Sequence, residues 1–346
     1  QPPPAAPGPE QALLRARLAL PEPGALRELT ALLEAADPSW LLSSAGPAAL
    51  GELAAALSSS AAPPRREQDG TEPPGQGTAL AAVAERAERV GAVFLLLLQK
   101  LEAAGSQRGM AAVGPVLRRV QGHAFIFAVT HKDERPWSTA RSREVARELL
   151  ERLVQAAGCG SVEEFLRGKE GDEEGRFGAV MWLLKPELTK DTWKRNPASR
   201  DVFSWALLRV SRPWLCPHLE RVLPPALLLS DDFQEENKVL GVRCLHHIVL
   251  NVPGADLCQF NRAQVVFHAL YNHLYSREAS LIQAVLLCLL DLLPFLERWQ
   301  RHQGQGRGAT SPWDQVLQLV LTHMEAEHRL ALRRVYAGTL PAFVTR

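Results

Sequence analysis

Two places in this chain bring metal-ligating residue types close together. His246 and His247 follow closely on Cys244, and His323, Glu325, Glu327 and His328 lie along one short stretch. A helix presents two zinc ligands on one face when they stand four positions apart, as in His-Glu-x-x-His. Adjacent histidines diverge by about 100° around a helix, and the five-residue step from His323 to His328 is equally awkward. No Cys-x-x-Cys occurs anywhere. The expectation is therefore no metal, with one of His246 and His247 hydrogen-bonded in a core and the other facing water.

Other chemistries fare no better. Gly304, Gly306 and Gly308 look superficially like a phosphate-binding loop, but they follow a helix and precede Ser311-Pro312, with no strand before them and no Gly-Lys-Ser/Thr. A nucleotide loop needs strand, turn and helix to aim its backbone N–H groups at phosphate. A flexible surface loop is the expectation. There is no Gly-x-Ser-x-Gly elbow, and the cysteines lack a flanking active-site pattern. Asp231, Asp232, Glu235 and Glu236 could be imagined as acid and base, yet acidic residues at a helix start usually complement its dipole. Neither catalysis nor a cofactor is expected.

Tryptophan and arginine in connecting segments are what remain. Trp137 follows Pro136, Trp193 stands beside Lys194, and Trp214 follows Arg212-Pro213. Trp paired with Arg is a common anchor at protein interfaces, although each Trp could equally plug the end of a helical layer. Trp193, Lys194, Arg212, Trp214, Asp231 and Asp232 are accordingly the candidate protein-binding residues, expected on or near exposed connections. Arg118-Arg119, the arginines of 141–147, Lys194-Arg195 and Arg333-Arg334 are basic spots. In Arg143-Glu144-Val145-Ala146-Arg147-Glu148 they interleave with glutamate, which makes a salt-laced helix face and no continuous phosphate track. Nucleic-acid binding is disfavoured.

The elements that must position these residues are helices. The stretch 231–294 predicts three in succession: apolar Val239, Val242, Leu245 and Val249 in the first, Val265/Val266 with Ala269/Leu270 and Leu274 in the second, and a third over 281–293 that is apolar nearly all round and so belongs between other helices. Residues 251–254 stop the first, because Pro253 cannot continue the ladder and Gly254 tolerates a positive φ. Helical patches also fall at 10–20, 24–35, 47–57, 80–105, 115–130, 139–157, 177–184, 199–210, 215–223, 312–324 and 327–337, the last stopping at Gly338 and Pro341. Ser161 with Glu164 has a capping-box pattern, and Ser311-Pro312 an N-cap followed by an N1 proline.

With 346 residues there is chain enough for one large helical array or two domains. Residues 1–57 read as a tail and weakly specified short helices, 58–78 as a disordered linker with several prolines and no periodicity, and 79–346 as a helical repeat domain. The fold class is all-α, an α-solenoid of irregular HEAT-like helix pairs, with an irregular helical bundle as the alternative. Lys+Arg 39 against Asp+Glu 38 leaves a net charge of +1, so no overall field draws in nucleic acid or an anionic membrane. The longest uncharged apolar runs fall short of the roughly 20 residues of a membrane span. Five widely spaced cysteines read as reduced core thiols of a soluble intracellular protein.

Long strings of this sequence carry a resemblance. SREVARE at 142–148, NPASRDVFSWALLRVSRPWL at 196–215, HLERVLPPALLLSDDFQEENKVLGVRCLHHIVLNVP at 218–253, QAVLLCLLDLLP at 283–294 and LTHMEAEHRLALRRVYAGTLPAFV at 321–344 closely resemble the Tel-two-interacting subunits of the Triple T co-chaperone complex. The match runs over roughly the last two-thirds of the chain, and the first 78 residues resemble the family only loosely. The resemblance implies a HEAT-like scaffold without enzymatic activity, binding its sister Tel-interacting subunit and the Tel-two protein. Through them it would support maturation of phosphatidylinositol-3-kinase-related kinases alongside the ninety-kilodalton heat-shock chaperone, in the cytoplasm and also in the nucleus. The family continues with further helices past residues 341–344, which implies that C-terminal repeats are missing here. It supplies no catalytic residue and no cofactor.

Overall fold

The structure, a computed structural model, describes residues 9–20, 22–43, 46–66, 76–168, 175–302 and 310–345. Of these, 80% are helical and none lies in a strand, so the protein is all-α. The tail over 1–8, the charged stretch 169–174, the glycine-rich 303–309 and part of the expected linker, 67–75, lie outside the described residues. The chain divides into two compact units, Gln1–Ala206 and Leu207–Arg346.

The first unit is built from α1 (Pro9–Leu18), α2 (Pro23–Ala35), α3 (Pro38–Leu41), α4 (Gly46–Ser60), α5 (Gln76–Arg108), α6 (Met110–His131), α7 (Ala140–Ala156), α8 (Val162–Arg167), α9 (Gly175–Leu184) and α10 (Pro197–Leu207). Along α5, Val83, Ala87, Val90, Phe94, Leu97 and Leu101 recur every three or four residues and are all buried, facing α2, α6 and α7. The helix α7 buries Val145, Leu149, Leu153 and Val154 as its period predicts, while Arg141 pairs outward with Glu144. Its start is fixed by a reciprocal cap between Thr139 and Ser142. At α8 the Ser161 hydroxyl accepts from the Glu164 N–H at 3.1 Å, and the Glu164 carboxylate takes the Gly160 N–H at 2.6 Å.

Within the expected linker 58–78, residues 58–66 and 76–78 are described. Residues 58–60 complete α4, because Leu57 and Ala61 prolong its buried face. The Ala61 carbonyl accepts from His131 Nε2 at 3.0 Å, and the Arg66 N–H donates to the Arg195 carbonyl at 2.8 Å. Prolines 63 and 64 lie between these two anchors in an extended strap, which needs no N–H from them.

The second unit comprises α11 (Leu219–Ser230), α12 (Glu235–Asn251), α13 (Gly254–Cys258), α14 (Arg262–His273), α15 (Ala279–His302), α16 (Pro312–Ala326) and α17 (Leu330–Val344). Its centre is α15, which buries Leu281, Ile282, Val285, Leu286, Leu289, Leu292, Leu293 and Leu296 against α12, α14, α16 and α17. The expected stop at Gly338 and Pro341 is overridden, and another proline also lies inside a helix. The helix α15 continues through Pro294, and α17 runs on through Gly338 and Pro341. Leu296 and Phe343, buried beyond those prolines, extend the apolar faces, and that burial outweighs a missing backbone hydrogen bond. At 24 residues α15 is also long and apolar enough to cross a membrane by length and composition. More than half of that stretch is buried by its own chain, the pattern of a core helix.

Close approach of α11 and α12 depends on Gly241. A Cβ there would meet the Ser230 backbone nitrogen at 2.2 Å, so the two helices touch backbone to backbone at this point.

Candidate functional site

The six candidate binding residues divide between the units. Trp193 and Lys194 belong to the first, in the turn between the 3₁₀ segment Lys185–Glu187 and α10. Trp193 is buried at 6% exposure, with its backbone N–H on the Thr189 carbonyl at 3.1 Å and the Lys194 ammonium 5.3 Å from its ring centre. It plugs the helical layer, as Trp137 does where its indole N–H donates to the Thr130 carbonyl.

The other four lie in the second unit. Arg212 is exposed and precedes a cis proline, and its backbone N–H meets Asn251 Oδ1 at 3.3 Å. Trp214 is half-buried. Asp231 is exposed at the end of α11, whereas Asp232 is 4% exposed and receives the Asn237 amide at 2.5 Å. The expectation of exposed connections therefore fails for Trp193 and Asp232. Their turns fold back on their own helices, the Trp for apolar burial and the Asp to hold the start of α12.

The histidines resolve into structural roles. His246 Nε2 lies 2.9 Å from Asp291 Oδ2 on α15, and His247 Nε2 donates to the Val210 carbonyl at 2.9 Å while Asn251 donates to its Nδ1 at 3.4 Å. Both imidazoles are thus engaged, where one had been expected to face water. Burial lowers the pKa of His247, consistent with a neutral ring donating from Nε2. Among the described residues no cluster of three metal-ligating side chains exists. Three cysteines, Cys244, Cys258 and Cys288, are buried, and burial pushes the Cys244 thiol up to about 12.

Two concave features were not legible from the sequence. A cavity of about 260 Å³ in the first unit is lined by His123, Thr130, His131, Asn196, Ser199 and the Arg65–Glu187 ion pair, which closes at 2.5 Å. In the second unit the connections α14–α15 and α16–α17 meet at a cleft of about 420 Å³. Arg329 Nη1 donates to the Arg277 carbonyl at 3.3 Å, and the Arg329 N–H donates to Glu327 Oε1 at 2.7 Å. Tyr275 stands edge-on to His323 with ring centres 5.7 Å apart. These partners are some fifty residues apart in the chain, so no local spacing could have joined them. Large apolar residues left in water were equally invisible: Trp182 on α9, Phe233, and Phe260, which is 82% exposed at a positive φ of 51° with the Arg262 guanidinium over its ring.

Fold and surface together define an all-helical protein of two compact units, each with a partly polar concavity. Its curated homologues, at 50–53% identity over 93% of the chain, are all named TELO2-interacting protein 2. The Homo sapiens protein is 53% identical over 331 residues, the Rattus norvegicus protein 52% over 330 and the Mus musculus protein 50% over 330. The chain spans 63% of the length of each of these relatives. No protein-family model matches it. Among solved structures, the crystal structure of an engineered protein aligns over 92% of this chain and 96% of its own, at 10% identity and a TM-score of 0.36, too loose a likeness to bear on the fold.

Proposed function

We propose that the chain is a non-catalytic scaffold subunit of the Triple T co-chaperone complex. In this reading its helix pairs stack as an irregular HEAT-like solenoid and present an extended surface to its sister Tel-interacting subunit and to the Tel-two protein. The complex then supports maturation of phosphatidylinositol-3-kinase-related kinases with the heat-shock chaperone machinery, in the cytoplasm and the nucleus. The observation that carries it is the 50–53% identity, over 93% of the chain, to proteins whose name states an interaction with TELO2. Lys194, Arg212, Trp214 and Asp231 remain contact candidates in this reading, since each offers some of its surface to solvent.

Co-expression with the sister subunit and the TELO2 protein, followed by size exclusion at moderate and high salt, tests the reading. Co-elution of all three chains in fixed ratio is expected at both. If the two partners elute together and this chain elutes alone, although folded by circular dichroism, the reading fails.

A further inference from the structure

The strap over residues 61–66 is fastened at two points, and at both the fastening buries polar atoms that have no partner among the described residues. At the first, His131 gives its Nε2 proton to the Ala61 carbonyl at 3.0 Å. The residue is 1% exposed, and Nδ1 of the same ring is left with an unused lone pair. At the second, the Arg195 carbonyl takes the Arg66 N–H at 2.8 Å, while Arg195 Nε and the Oδ1 of its neighbour Asn196 stay unbonded and away from solvent. A polar group that loses its water on burial and finds no partner destabilises the arrangement that buries it. The closed strap carries that penalty at each end.

What opposes it is modest. Pro63 and Pro64 have no N–H to give. The Arg65–Glu187 ion pair has its guanidinium side chain 64% exposed, where such pairs contribute little. Ala61 and Pro63 are buried, but both side chains are small. Beneath the strap lies the cavity of about 260 Å³, which Ala62, Pro63 and Arg65 line from one side and His131 and Asn196 from the other. Lifting the strap opens that space to water and hydrates the unpaired atoms, while α6 stays packed on α5, α7 and α9. We propose that residues 61–66 form a lid that opens and closes over this cavity on an otherwise intact first unit. The motion is a local opening drawn from the least stable part of the unit, and it holds or fails independently of the co-chaperone reading.

Hydrogen exchange followed by NMR on the full chain reads the opening. After correction for intrinsic rates, the Arg66 N–H and the His131 Nε2–H should show similar protection, at least about a hundredfold below that of the Ala128 and Val129 N–H groups in α6. Arg65→Ala removes the exposed ion pair and should lower strap protection about threefold. Asn196→Leu keeps the side-chain shape without the unpaired oxygen and should raise it about tenfold, a gain that a damaged fold could not produce. Protection within α6 should be the same in all three chains. Strap protection equal to that of α6, or a loss of strap protection in Asn196→Leu with α6 unchanged, would overturn the proposal.

Discussion

His131 is a buried imidazole held neutral. Its Nε2 faces the Ala61 carbonyl, so that nitrogen carries the proton, and desolvation lowers its pKa from 6.5 to about 4. A folded-state pKa below the unfolded one means that protonation opposes folding. Stability from this residue is therefore complete above pH 6.5 and drains away as pH falls towards 4. At about 1.4 kcal/mol per unit the loss is on the order of 3 kcal/mol. Urea unfolding of the parent chain should show this decline between pH 6.5 and 4, and His131→Gln, which can still donate to Ala61, should flatten it. An equal slope in both chains would remove His131 as the cause. At this scale the sequence was a poor guide to which residues are exposed. Trp193 and Asp232 sit in turns, where exposure is the natural guess, but what covers a turn is decided by segments distant in the chain.

Helices were the most legible part, since a stripe every three or four residues states both the element and its buried side. The amphipathic α7 emerged almost residue for residue. Ends were less legible wherever proline or glycine stood inside an apolar run. Pro294 and Gly338 carry stop signals in the local code, yet the helices continue, because burial on the far side is a tertiary gain that a local code does not contain. Glycine itself has opposite meanings at two helix positions. Gly241→Ala places a methyl group against the backbone of α11 and should destabilise by about 1–3 kcal/mol. Gly338→Ala meets nothing within 4 Å on α17 and should stabilise by roughly 0.5–1 kcal/mol. Thermal melts of the two variants should move in opposite directions; a shared direction would contradict the close approach of α11 and α12.

For the whole molecule, composition foretold an all-helical protein with near-neutral charge, while the division after Ala206 left no mark in the sequence, the evident break in composition being the one at 58–78. Each unit has its own buried helix, and in the second that helix is α15. Its covering comes from both directions along the chain: α12 and α14 precede it, α16 and α17 follow. On the ribosome this order matters. When α15 emerges, half of its apolar jacket has not been synthesised, and for that interval the nascent chain displays a segment that passes for a membrane anchor. A chain ended after His302 preserves that moment permanently. It should pellet or bind to added liposomes when translated in vitro, while the full chain stays in the supernatant. Equal solubility of the two would mean that the earlier helices alone suffice to shelter it. If only the shortened chain pellets, the last helices act less as an interaction surface than as the completion of a fold whose most hydrophobic part is made before its cover.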